Sequence, residues 1–327
     1  MDKKIFIILF LLAIPISAQQ LVTINGIPRD TSYTLYSAAK KMLKKFPDAK
    51  LVSRQLPVKV EEESNIVYVK IGKRELHLNV FYNKKAGGKE HPAILMIHGG
   101  GWTSGDTSLI IPMAEKLAAK GFVTVTPEYR LSPEALYPAA VTDLKAALRW
   151  MRANAEKYHI DKNKIAAYGC SSGGQLAALL GTTNSDKKFE GTEGSINYSS
   201  SIQAVVDVDG VIDFFGNGSK EVKNDPAKPS AAHRWFGVSA KENPQVWKDA
   251  GAYNHTSKKT PPIAFINSAV PRFHAGRDEM IQLLEKYNIY YEVHTLPNTI
   301  HTFWLFHPWF EKTLDYTTKF LNIVFEK

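Results

Sequence analysis

Apolar and polar positions alternate along "NIVYVKI", residues 65–71, and again along "ELHLNVFY", residues 75–82. A period of two belongs to strands with one buried face, so these segments predict an antiparallel pair. Ahead of them, "SYTLYSAAKKMLKKFPDA" (32–49) spaces its apolar residues at helical intervals and predicts a helix packed on the outside of a domain. Beyond residue 90 short apolar runs alternate with helical stretches. "AILMIH" (93–98) reads as a strand, "LIIPMAEKLAAKG" (109–121) as a helix and "FVTVTPEY" (122–129) as a strand. A long helix is predicted from Pro138 to about His159, with Val141, Leu144, Leu148 and Met151 on one face. The strand "KIAAYG" (164–169) enters "CSSGGQLAALLG" (170–181), whose alanines and leucines suit a buried helix. "QAVVDVDG" (203–210), "PIAFIN" (262–267) and "YYEVHTL" (290–296) predict three more strands, and residues 308–326 a closing helix. Apolar strands alternating with helices predict an α/β fold: a mostly parallel central sheet with helices on both faces. Stretches 184–200 and 216–232 are polar and rich in Gly, Ser and Lys, and read as loops or small insertions. With no repeat and no low-complexity linker, residues 19–327 are expected to form a single domain, with 19–64 as an N-terminal helical extension.

Composition changes this picture only at its edges. In 327 residues, 44% hydrophobic and 22% charged content is ordinary for a globular chain. The first eighteen residues, "MDKKIFIILFLLAIPISA", carry two lysines, an apolar run and a small-residue end. That is the layout of a secretory signal peptide cut after Ala18, with a run too short to span hydrocarbon comfortably. The expected location is therefore secreted or periplasmic, with no stable membrane span after cleavage. Cys170 is the only cysteine, so no internal disulfide is available. The net charge of +9 falls to +8 without that leader and is spread widely. Export makes nucleic acid a poor partner, whereas an acidic polysaccharide fits both export and charge.

The most specific local signal is Gly169-Cys170-Ser171-Ser172-Gly173, between a predicted strand and a predicted helix. A nucleophile on such a sharp turn needs glycines two residues to either side, and only Ser171 has both. The second signal is His98-Gly99-Gly100-Gly101-Trp102, directly after "AILMI". Consecutive glycines let bare N–H groups approach an oxyanion; Gly100 and Gly101 are the expected donors, joined by the N–H of Ser172. The third is His301, after the last predicted strand, where a loop can return an imidazole to Ser171 as general base. His294 is its competitor but lies inside the strand.

"HGGGW", "EYRLSPEALYPAAVTDLKAALRWMRANAEKYHIDKNKIAAYGCSSGGQLAALLG" and "LPNTIH" together resemble an α/β-hydrolase over roughly residues 65–327. The similarity is nearest to hormone-sensitive-lipase-like esterases and bacterial feruloyl/acetyl carbohydrate esterases. It implies the α/β-hydrolase fold and a Ser/His/acid esterase needing no metal or organic cofactor, with Asp143 structural. "NSAVPRFHAGRD" and "HTFWLFHPWF" resemble a narrower set of exported bacterial esterases associated with pectin breakdown. That implies methyl or acetyl esters on galacturonic-acid-rich polymers as substrate. Acetylated xylan, a general short-chain ester, or a catalytically silent binding role are the rival readings.

One departure stands out. The family pattern puts its acid just beyond "PIAFIN", but that slot holds Ala269, Val270 and Pro271. Asp209, in "AVVDVDGVIDF" one strand earlier, is the preferred acid, because an unpaired Asp in an apolar strand is costly and this one ends at the carboxyl edge of the sheet. Asp278 is the alternative, in what reads as a helix first turn. Arg272, His274 and Arg277 either bind carboxylates of an anionic substrate or make structural ion pairs. Trp102, Trp304 and Trp309 serve either as sugar platforms or as packing.

Overall fold

The computed structural model describes residues 21–24, 26–83, 88–184, 186–222 and 228–326. The leader read as a signal peptide lies outside these described residues. In chain order the elements are β1 (Leu21–Ile24), β2 (Ile27–Asp30), α1 (Leu35–Lys45), β3 (Lys50–Leu51), β4 (Val60–Ile71), β5 (Arg74–Asn83), β6 (His91–Ile97), α2 (Ile111–Ala119), β7 (Val123–Pro127), α3 (Ala139–Ala153), α4 (Ala155–Tyr158) and β8 (Ile160–Cys170). They continue with α5 (Ser172–Thr182), α6 (Lys187–Glu190), β9 (Ala204–Val208), α7 (Ala231–Phe236), α8 (Pro244–Asp249), β10 (Ile263–Asn267), α9 (Arg277–Lys286), β11 (Tyr291–Thr295), β12 (Phe306–His307) and α10 (Trp309–Glu326).

Eight strands form the central sheet in the order β11-β10-β9-β8-β6-β7-β5-β4. The apolar strands β6 to β11 are mutually parallel, while the alternating pair β4–β5 joins antiparallel at the β7 edge. Strand β6 shows why its run is continuous: Ala93, Leu95 and Ile97 enter one core and Ile94 and Met96 the other. The first core is shared with α3 and α5, the second with α1, α2 and α10. Helices on both faces leave no room for polar alternation in the strands between them.

Three elements differ from the sequence reading. The 19–64 segment is not simply a helical extension: α1 is flanked by the hairpin β1–β2 and by β3, which pairs antiparallel with β12. Strand β2 then reaches the loop after β6 through a single bridge, Asp30 to Ser104. The long helix breaks at Asn154, whose side chain donates to the Trp150 carbonyl, and α4 ends on His159 at φ 54°. That local side-chain bond offers the backbone an alternative to the next helical turn. The predicted loop 184–200 contains the short helix α6. Among the described residues, no helix is long and apolar enough to cross a membrane.

Candidate active site

Loops from the carboxyl ends of β6, β8, β9 and β11 converge at one place, the edge where α/β sheets build sites. Ser171 lies between β8 and α5 with φ 58° and ψ −123°, and its N–H donates to the Val208 carbonyl. This turn closes only because its flanks lack side chains. A Cβ on Gly169 would lie 2.0 Å from the Gly173 oxygen, and one on Gly173 2.3 Å from the Ile97 oxygen. The neighbours of Ser171 are directed elsewhere. Cys170 is fully buried in the second core, where burial pushes its thiol pKa well up. Ser172 is buried and its Oγ touches no described hydrogen-bond partner.

His301 reaches back from the segment after β11. The Ser171 hydroxyl donates to its Nε2 at 2.8 Å, and its Nδ1–H donates to Asp209 Oδ2 at 2.9 Å. The carboxylate accepts only, and this fixes the tautomer. Asp209 sits at the end of β9 at φ 54°, fully buried, with its other oxygen accepting the Ser268 N–H at 2.7 Å. Both oxygens of this buried charge are thereby satisfied. Asp207, two residues earlier, is also fully buried and accepts the Gly210 N–H. Burial first, then the Asp209 charge, push its carboxyl well above the ordinary range, so a second negative charge there is disfavoured.

Asp278 must be set aside as the acid. It lies in the first turn of α9 with its side chain 72% exposed, and Oδ1 pairs with Arg277 at 2.7 Å. Arg277 also donates to Asn267 Oδ1, which makes it structural. Asp143 is likewise buried under Arg130, which it meets through both carboxylate oxygens.

The glycine loop lies against the nucleophile turn, since a Cβ on Gly99 would stand 3.0 Å from Ser171 Cβ. Gly100 takes φ 140° and Gly101 φ 62°, and a Cβ on Gly100 would meet the Ser104 oxygen at 1.9 Å. No described residue accepts a hydrogen bond from the N–H of Gly100, Gly101 or Ser172. His98 braces this loop: its ring stacks on Tyr129 and its Nδ1 lies 2.9 Å from the Gly99 carbonyl oxygen. Burial lowers the pKa of His98, consistent with a neutral ring used for packing.

Of the two roles open to the tryptophans, the contacts show packing. Trp102 is 4% exposed, stacks on Trp235 at 4.9 Å and donates its indole N–H to Gln175. Trp304 is equally buried and packs nearly perpendicular to His301, 5.0 Å between ring centroids. Trp309 packs edge-on against Phe46. Large aromatics next to turns look the same in sequence whether they face solvent or core. The turn Pro271–His274 does reach the site. Arg272 lies over the Phe273 ring, 4.2 Å to the centroid, and no described carboxylate pairs with it. His274 is half-buried, and burial together with Arg277 lowers its pKa. Sequence reading missed Phe273, whose ring stacks on His301; an aromatic beside Arg272 in the acid's usual loop was the only signal. His294, the competing histidine, stacks on Tyr316 and meets Glu292. Among the described residues, no three His, Cys, Asp or Glu side chains gather as a metal site would require.

Burial lowers the His301 pKa below 6.5, and Arg272 and Lys41 act in the same direction against the opposing hydrogen bond and charge of Asp209. A general base must be neutral to accept a proton. The acid limb of hydrolytic kcat/KM is therefore expected to be centred below pH 6.5, as the imidazole protonates. A pH–rate profile on a small ester checks this; an acid limb centred above 6.5 would contradict it.

Residues 78–283 match the BD-FAE family. The chain is 30% identical over 197 residues to Esterase LipC of Mycobacterium tuberculosis, covering 59% of this chain and 47% of LipC. It is 41% identical over 91 residues to Carboxylesterase NlhH of the same organism, covering 27% of this chain and 28% of NlhH. The chain spans about half the length of the curated relatives LipC and LipM. Among solved structures, a truncated carbohydrate esterase from gut microbiota superposes with TM-score 0.70 at 23% identity, covering 84% of this chain and 100% of that one. A bifunctional GH43-CE protein of Bacteroides eggerthii gives 0.66 at 24% identity, covering 80% and 37%. Esterase 2 of Thermogutta terrifontis gives 0.66 at 23% identity, covering 82% and 93%. These structures share its fold.

Proposed function

The chain belongs to the BD-FAE family, and from that premise we propose that it is a serine esterase acting on ester substituents of a plant polysaccharide. The observation that carries the reading is the unbroken hydrogen-bonded line Ser171–His301–Asp209, with spans of 2.8 and 2.9 Å, beside the glycine loop. His301 takes the Ser171 proton as Oγ attacks the ester carbonyl, and Asp209 holds the imidazole and balances the imidazolium. The N–H groups of Gly100, Gly101 and Ser172 receive the oxyanion. His301 then returns the proton to the leaving alcohol, and water repeats the sequence on the acyl-enzyme.

The substrate we favour is pectin carrying methyl or acetyl esters. One fold neighbour is described as a carbohydrate esterase and another as a bifunctional GH43-CE protein. The site also carries positive charge: Arg272 on its turn and Lys41 on α1 both act on His301. A methyl-esterified uronate would become the acyl half and release methanol; an acetylated sugar would leave acetate on Ser171. Arg272 would bind a neighbouring free carboxylate, and the leader at 1–18 would export the enzyme to its polymer. A general short-chain carboxylesterase is the second reading, favoured by the names of LipC and NlhH.

Methanol and acetate release from methylated pectin, acetylated pectin and acetylated xylan separates these readings. Losing a charge-assisted contact costs about 1.5–3 kcal/mol. Arg272→Met is therefore expected to lower kcat/KM on partly methylated pectin at least about tenfold more than on p-nitrophenyl acetate. Equal losses on both substrates would reject carboxylate binding by Arg272.

A further inference from the structure

Two hydrogen bonds, one at each ring nitrogen, aim His301 at Ser171 and Asp209, but they leave the ring free to tilt about the line joining those nitrogens. The structure closes that freedom from one side. The Phe273 ring lies 3.4 Å from the imidazole, centroid to centroid, with the planes only 9° apart. Trp304 packs against the same imidazole, 5.0 Å between ring centroids, with the two planes at 85°. The Phe273 ring carries the Arg272 guanidinium over it, 4.2 Å from its centroid. The same loop grips the acid, because the Ser268 N–H donates to Asp209 Oδ1.

We propose that Phe273 is a positioning residue for His301, and that the loop 268–274, which has no acid of its own, acts as a clamp on the His301–Asp209 pair. This rests on the esterase reading above. The stacked ring holds the imidazole plane so that Nε2 and Nδ1 address both partners at once. Its π face also lies where positive charge develops when His301 takes the Ser171 proton, and such a face attracts a cation. Both effects act on turnover. Neither requires Phe273 to touch the substrate, and the proton path from Ser171 through His301 to the leaving alcohol does not pass through it.

The test compares Phe273→Ala, Phe273→Leu and Phe273→Tyr in the full chain, with p-nitrophenyl acetate as substrate and a melting curve for each. The Ala and Leu variants are expected to lose about 10–100-fold in kcat, a range typical of a general base held off its optimal geometry, with KM within twofold. The Tyr variant, which keeps the ring, should stay within about threefold of wild type. The downfield proton resonance of the His301 Nδ1–H should broaden in the Ala and Leu variants and persist in the Tyr variant. Wild-type kcat in the Leu variant, a raised KM with unchanged kcat, or equal losses in Leu and Tyr would each overturn the proposal. Should Phe273→Ala not fold, Phe273→Leu, which keeps apolar volume, decides. A Ser171→Ala control separates the two levels. Near-wild-type kcat in it sinks the Ser171–His301–Asp209 reading on which the clamp rests, whereas its loss leaves a failed Phe273 series to count against the clamp alone.

Discussion

Asp209→Asn is expected to lower kcat by about four orders of magnitude with little change in melting temperature, whereas Asp278→Asn should alter kcat less than twofold. The contrast follows from what each carboxyl touches. Asp209 is fully buried and accepts the His301 Nδ1–H at 2.9 Å. An amide in its place can still accept the Ser268 N–H through its oxygen, so the fold keeps that bond. It then turns its NH2 toward Nδ1, which favours the tautomer with Nδ1 unprotonated and Nε2 carrying hydrogen. That ring cannot take the Ser171 proton. Asp278 pairs with Arg277 on an exposed helix turn, where such pairs contribute little. Steady-state kinetics on p-nitrophenyl acetate, with thermal melts of both variants, checks the pair. Near-normal turnover in Asp209→Asn would remove Asp209 from the site.

Most of this arrangement was legible in the chain because it follows local rules. Period-two alternation placed β4 and β5, and continuous apolar runs placed the parallel strands. The glycine frame singled out Ser171 among three candidate nucleophiles, and the structure shows why: side chains at 169 or 173 would strike backbone. The acid was legible only as a choice between two residues. Deciding between Asp209 and Asp278 takes a loop closing over ninety residues, from β9 to His301, and no periodicity records that. The choice between the two roles of the tryptophans is hidden from the sequence for a similar reason. Trp102 follows the glycines in sequence, but its place against Trp235 depends on α7 folding back over the loop. Phe273 escaped notice because its partner is 28 residues away, on a segment that meets it only once both loops have closed. The β1–β2 hairpin also gave no clear alternation, since all four β1 residues are exposed.

Ser171→Ala is expected to be the most damaging single change, removing about 10⁴–10⁶ of kcat without disturbing binding of a small ester. No neighbour can take over. Cys170 points into the second core with its thiol pKa pushed up, and the buried Ser172 hydroxyl makes no hydrogen bond to His301. The residual rate would come from the oxyanion donors and from binding alone.

The most direct measurement is covalent trapping. Wild-type protein is treated with a fluorophosphonate, the adduct is located by peptide mass spectrometry, and the labelling rate is compared across Ser171→Ala and Asp209→Asn. The expected result is one adduct, on Ser171, absent from Ser171→Ala and formed at least about a thousandfold more slowly in Asp209→Asn. An adduct on Cys170 or Ser172, or labelling of Asp209→Asn at the wild-type rate, would contradict a Ser171–His301–Asp209 triad.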